Sequence, residues 1–361
     1  MLKKMLIVHA ALLLLAPVLC AEEKTNTGKK PVLIFLLSGQ SNMTGRGELG
    51  ALNKPAEEQK ASLVRYIKTP ENMEKYKSLY TGTNKTQAGW TIRDDVFITM
   101  GEGTNAISSG LRPGFGGFRN KGFGPELGIG YVLGDQYDET ILLVKAAYGA
   151  NSLAVNFRPP SSGGKLGDKY PLVVSALRDA IRRLPEIIPG YQKEAGYKIA
   201  GFFWNQGEHD GTPEFAAEYE KNLSNLILDL RKEFKAPEMK AVIAVTGFGG
   251  RDLVGDNDKS KEAHLKVIAA QLAVPLRPEF KGTVATVETR DFYRPQDKFG
   301  GNNQTIHWHG NGESYWLMGE AMGQEMVRLL KKSSHQWTAL GINEGVTFFA
   351  SNDANHTNEI W

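Results

Sequence analysis

Residues 32–47 read VLIFLLSGQSNMTGRG, an unbroken apolar run that gives way to Ser38, Gly39, Gln40, Ser41 and Asn42. Such a run is what a strand buried on both faces looks like. A serine exposed where it ends can act as a nucleophile if a base reaches its oxygen. Three further segments carry matching residue types: GFGPELGIG at 122–130, WNQGEHDG at 204–211 and QTIHWHGNGESYWLMGEAM at 304–322. They offer glycine-rich turns, an amide, carboxylates and histidines. Seven histidines are present. His9 lies in the leader, His264 in a helical stripe, and His335 and His356 in the tail, which leaves His209, His307 and His309 as bases. In an extended segment residues two apart share a face, so spacing does not separate His307 from His309. Each feature alone also has a plain structural use, as a polar turn or a helix cap.

The elements that must position these residues follow from the apolar pattern. Strands are expected at 32–37, 139–145, 198–204, 240–246 and 283–288, each short, apolar and bounded by glycine or charge. Helices are expected between them. In 170–186, Leu172, Ala176, Ala180 and Leu184 recur every four residues, and in 213–234 Phe215, Tyr219, Leu223, Leu226, Ile227 and Leu230 form one face. Thr212 followed by Pro213 suits an N-cap and first helical position. Similar stripes cover 258–274 and 312–331. The alternation predicts an α/β fold with three α/β/α layers around a mainly parallel, doubly wound sheet. Ligands of such sheets bind beyond the carboxyl ends of the strands. Residues 48–123 break the rhythm and are expected to form an elaborated loop region over that end.

Composition narrows the classes. Of 361 residues, 41% are hydrophobic and 23% charged, which is ordinary for a globular chain with a large core. A formal charge of +3 with no basic run argues against nucleic acid as a partner. Lys3 and Lys4 precede a short apolar stretch and small residues at Cys20 and Ala21, the pattern of a secretory leader and too short for a membrane span. Cys20 is the only cysteine, so a chain cleaved after it has no disulfide and no thiolate ligand. The expected organisation is a signal peptide at 1–20, a linker at 21–30, one α/β domain at 31–333 and an appendage at 334–361 with one or two edge strands. A secreted or periplasmic location follows from the leader, and a lipoprotein through Cys20 is the lesser reading.

Taken together, GQSNM, WNQGEHD, KAAYGANSL at 145–153 and ETRDFYRP at 288–295 resemble the SGNH-type hydrolases, in particular the carbohydrate esterases of the sialate O-acetylesterase and acetylxylan esterase kind. The resemblance spans 31–333. It implies Ser41, not Ser38, as nucleophile and His307 as base. It also implies oxyanion donors from the Ser41 and Gly124 N–H groups and the Gln206 amide. The implied reaction removes O-acetyl groups from carbohydrate through an acyl-enzyme and needs no cofactor or metal. Asn42 and Arg158 are candidate substrate contacts, with Tyr170 lining the same sugar subsite, and Glu126 is expected to brace the site through Arg46 or Lys121. The chain departs from the wider superfamily at one position. An aspartate is expected three residues before the histidine, and Gln304 stands there. Glu208 is the preferred replacement for orienting His307. A Ser–His dyad held by a backbone carbonyl, or a weak catalyst, are the other solutions.

Two other readings explain part of the pattern. His307, His309, Glu208, His209 and Asp210 include enough nitrogen and oxygen donors for zinc, but that leaves the GQSN turn without a purpose. A non-catalytic carbohydrate-binding protein would account for Gln304, with Trp90, Trp204, Trp308 and Trp316 as stacking faces. A phosphate-binding loop at 114–124 lacks the lysine and the strand-to-helix context it requires.

Overall fold

The computed structural model describes residues 30–117, 122–247, 249–254 and 258–339. The expected signal peptide, all but the last residue of the linker and most of the appendage lie outside this set. Inside it, 334–339 continue the last helix rather than form an edge strand.

The five expected strands all form: β1 (Val32–Gly39), β6 (Ile141–Ala147), β7 (Tyr197–Asn205), β8 (Lys240–Ala244) and β9 (Val284–Val287). Two strands that the apolar pattern did not reveal, β3 (Val96–Met100) and β4 (Ile107–Gly110), extend the sheet at one edge. Its order is β4-β3-β6-β1-β7-β8-β9, parallel throughout except for the β3–β4 hairpin. A short antiparallel pair, β2 (Gly47–Glu48) with β5 (Gly122–Phe123), lies in the loop region. That region is therefore less irregular than its composition suggests. It also holds the short helices α2 (Leu63–Ile67) and α3 (Ser78–Thr81), and α1 (Ser41–Thr44) precedes it. The longer helices are α4 (Glu126–Gln136), α5 (Lys169–Arg182), α7 (Pro213–Glu233), α8 (Asp258–Ala273) and α10 (Gly312–Ala339), with short turns α6 (Leu184–Ile187) and α9 (Gln296–Phe299).

Alternation along the strands sorts the core into two layers. Ile34, Leu36, Leu142, Val144, Phe202 and Trp204 face α5, α7 and α8. Phe35, Leu37, Leu143 and Phe203 face α2, α4 and α10. Sheet residues next to each other in sequence thus supply opposite cores, which is why the strands read as continuous apolar runs. In α7 the expected face is the buried one from Tyr219 to Leu230, and the Thr212 side chain accepts from the Phe215 N–H as the N-cap. In α5 the four-residue stripe drifts off the core. Each step of four advances 400°, so Leu172 faces solvent while Val173, Ala176, Leu177 and Ala180 are buried.

β1 is the centre of this arrangement. It is paired with β6 on one side and β7 on the other, with Gly39 opposite Ala147 and Asn205. Gly39 has φ +140°, and a Cβ there would fall 2.0 Å from the Asn205 carbonyl oxygen. Only glycine lets the strand turn off the sheet this close to its neighbour. Phe203 is fully buried and packs against Phe35, ring centroids 6.1 Å apart. Phe203→Ala should therefore cost about 3–5 kcal/mol of unfolding free energy, measurable by chemical denaturation.

Candidate active site

The carboxyl ends of β1, β6 and β7 bring three of the sequence segments together, and the loop before α10 adds the fourth. Ser41 is the first residue of α1 and is buried. His307 Nε2 lies 3.0 Å from Ser41 Oγ, although the two residues are 266 positions apart. Ser38, one turn of chain earlier, is a ladder residue whose hydroxyl donates to the Ala146 carbonyl.

The histidine segment is not extended. His307 has φ −110°, while Trp308 and His309 are left-handed at φ +56° and +55°. Two consecutive non-glycine residues in that region turn the chain sharply. The two histidines therefore point to different places, contrary to the shared face expected of an extended segment. His309 is held by the Tyr293 hydroxyl at 2.9 Å and the Asn302 carbonyl at 2.8 Å. Only His307 meets the serine.

The second ring nitrogen of His307, Nδ1, lies 3.0 Å from Gln304 Oε1. An amide oxygen only accepts, so Nδ1 carries the proton and Nε2 is left unprotonated toward Ser41. Burial, with the Arg46 charge adding to it, pushes the His307 pKa down to about 4. The ring is therefore neutral at pH 7 and competent to accept a proton. Glu208 is not its partner, against the expectation from sequence. The Glu208 carboxylate instead accepts from Asn42 Nδ2 at 2.7 Å.

Asn42 is likewise not a substrate contact. It has no exposed surface, and its amide is fully engaged. Besides Glu208, Nδ2 donates to the Ile306 carbonyl at 3.1 Å, and Oδ1 accepts from the Tyr315 hydroxyl at 2.7 Å. This one amide ties the turn after β1 to the turn after β7, to the residue preceding His307 and to α10.

Two of the expected oxyanion donors are committed elsewhere. The Gly124 N–H donates to Glu126 Oε1 at 2.8 Å. Gln206 Nε2 faces Gln40 Oε1, the Asn151 carbonyl and Asp210 Oδ2 at 3.2, 3.1 and 2.5 Å. Asp210, buried completely, also accepts from the N–H groups of Leu153 and Ala154. Burial raises its pKa to about 6, with those donors opposing the rise. The glycine at Ser41 is Gly149, in the turn after β6. A Cβ at Gly149 would lie 3.8 Å from the Ser41 Cβ, in ordinary contact, so the Gly149 backbone runs directly beside the serine. Among the described residues neither the Ser41 nor the Gly149 N–H has an acceptor. The sequence held a signal for Gly149, since KAAYGANSL ends a strand as SGQSN does.

Glu126 pairs with Lys145, a residue of the apolar strand β6. Arg158 clamps its own loop by donating to the Ala154 and Gly163 carbonyls and to Glu218, and it lines a groove of about 590 Å³ with Val155, Asn156, Lys165, Leu166 and Asp168. Tyr170 is buried in the core. Trp90, Trp204, Trp308 and Trp316 are each at most 3% exposed, so none offers a stacking face. Among the described residues no three His, Cys, Asp or Glu side chains cluster as a metal site would need, and no helix is long and apolar enough to cross a membrane.

The model of a carbohydrate esterase family, sialic acid-specific acetylesterase, matches residues 31–328. The chain belongs to that family. It is accordingly a carbohydrate acetylesterase, a carboxylic ester hydrolase of the SGNH-like α/β class. Similar solved structures include a protein from Arabidopsis thaliana, 17% identical with a TM-score of 0.51, covering 82% of this chain and 98% of its own. Another is NanS, 11% identical with a TM-score of 0.50, covering 84% and 99%. At these identities they show the fold alone. No curated protein matches the sequence.

The Asn42 amide gives this esterase a sharp test. Asn42→Ala leaves the Glu208 carboxylate, the Tyr315 hydroxyl and the Ile306 carbonyl each short of a partner. At about 1–3 kcal/mol per unsatisfied buried group, urea denaturation should show a loss of at least about 2 kcal/mol.

Proposed function

We propose that this carbohydrate esterase is a serine enzyme that removes O-acetyl groups from sugars through a covalent acetyl-enzyme. The observation that carries the reading is the 3.0 Å contact between Ser41 Oγ and His307 Nε2, with Nδ1 held by Gln304. Ser41 Oγ attacks the acetyl carbonyl as its proton passes to His307 Nε2. The tetrahedral oxyanion is taken by the N–H groups of Ser41 and Gly149, neither of which has an acceptor among the described residues. His307 returns the proton to the departing sugar oxygen. Water then enters, gives a proton to the same nitrogen and attacks the acetyl carbonyl, and acetate leaves as Ser41 is reprotonated. Lys3, Lys4 and the apolar stretch after them support export of the chain before it acts.

Acetate release from O-acetylated sialic acid and from acetylated xylan tests the activity and its substrate together. Ser41→Ala should lower kcat by roughly 10⁴-fold or more, and intact mass should show an acetyl adduct only on protein that retains Ser41. Full activity in Ser41→Ala would end the serine mechanism.

The pH profile follows from His307. Its neutral form is the active one, so kcat/KM should stay level on the acid side of neutrality and fall as pH drops through about 4. Gln304→Glu places a negative charge at Nδ1, favours the imidazolium and raises the histidine pKa. Its acid limb should therefore appear at higher pH than in the wild type. An unmoved limb would show that residue 304 does not face the base.

A further inference from the structure

Lys145 and Glu126 are each 1% exposed, and Lys145 Nζ lies 2.7 Å from Glu126 Oε2. The ammonium also donates to the Thr44 carbonyl at 2.9 Å and the Phe115 carbonyl at 2.8 Å, so its three protons have three acceptors. Glu126 Oε1 takes the Gly124 N–H. Lys145 sits opposite Leu37 of β1 and Met100 of β3, and Glu126 opens α4. Four segments distant in sequence thus converge on two charges in a dry interior.

Stability alone does not account for them. Moving two charges out of water is costly, and apolar residues of similar volume often hold a fold equally well. Apolar side chains, however, cannot bond two buried carbonyls and a buried N–H. One of those carbonyls belongs to Thr44, the last residue of the turn that Ser41 opens. Within that turn the Thr44 hydroxyl and the Gly45 N–H both donate to the Ser41 carbonyl. Next to it, the Gly117 N–H donates to the Gly45 carbonyl, which fastens the Phe115 strand of loop to the same turn.

We propose that Lys145 and Glu126 are positioning residues for catalysis: they fix the Ser41 turn from below, so that its hydroxyl meets His307 and its N–H faces the oxyanion beside Gly149. The pair touches neither substrate nor reacting atoms. The charge is required because three rigid bonds from one ammonium hold the turn where a soft apolar contact would let it shift. Desolvation lowers the lysine pKa, with Glu126 opposing it, and the same glutamate makes the pair neutral overall. The proposal rests on Ser41 being the nucleophile.

The test is hydrolysis of 4-nitrophenyl acetate by the full mature chain, by Ser41→Ala, by the neutral double variant Lys145→Met/Glu126→Gln, and by Lys145→Arg. The last keeps the charge, but its planar fork cannot repeat the three bonds of an ammonium. Each protein is assayed below its own melting midpoint. The expected result is a kcat at least about tenfold lower in both Lys145 variants, since small misplacement of a reacting group is enough for that. KM should stay within about twofold, because substrate contacts are unchanged. If the double variant does not fold, Lys145→Arg decides alone. Wild-type kcat in a folded Lys145 variant overturns the positioning role while leaving the esterase reading intact. A rise in KM with kcat unchanged overturns it too, because the pair would then be shaping a binding surface. Wild type no faster than Ser41→Ala would overturn the serine reading itself, and the positioning role with it.

Discussion

Everything at this site depends on β1 being hydrogen-bonded on both edges and covered on both faces. β6 and β7 satisfy its backbone, and two separate apolar cores cover its alternating side chains. A strand so enclosed can meet solvent only where it ends. The chain leaves the sheet at Gly39, the one residue type that tolerates the approach of Asn205, and Ser41 appears two residues later. The Ser41 oxygen is thus carried by a strand paired on both edges and packed on both faces, which suits a side chain whose placement must be exact.

Beyond that strand, position is set by buried polar groups more than by apolar packing. Asn42 binds three other segments through one amide, and Lys145 binds three through one ammonium. Both lie where water is excluded, so each bond lacks a competing partner and each unmade bond would be costly. Apolar contacts fill space but allow sliding, whereas a satisfied amide or ammonium allows few geometries. The same economy explains Gln304. An amide oxygen orients the imidazole and selects its tautomer without placing another anion near Glu208. The imidazole it holds is neutral down to about pH 4.

The sequence carried the strands, the long helices and the segments that hold Ser41 and His307, because those depend on short-range pattern. An apolar run with period-two burial on both faces, or an i, i+4 stripe, is written locally. The edge strands β3 and β4 were missed because charged and glycine-rich residues of the loop region flank them, and β4 itself, ISSG, is largely polar. The donors were misjudged for a different reason. Gly124 and Gln206 are of the right type, but the acceptor of an N–H is decided by what the fold brings to it. Here that is Glu126 for one, and Gln40, Asn151 and Asp210 for the other. Glu208 went astray in the same way, since carboxylate and imidazole both suit a triad on paper while Asn42 is the group within reach.

The sequence by itself therefore determined the class of fold, a serine where a central strand ends, a histidine far along the chain, and the absence of an aspartate three residues before that histidine. These are properties of residue type and spacing. The tertiary structure alone decided which of two neighbouring histidines meets Ser41, through the left-handed turn at Trp308 and His309. It also decided that Gln304 faces the ring and that Gly149 lies against the serine. And it placed a lysine from the middle of an apolar strand against the Ser41 turn. Hydrogen bonds are short and directional, so a pairing across 266 positions exists only once the sheet has set both ends.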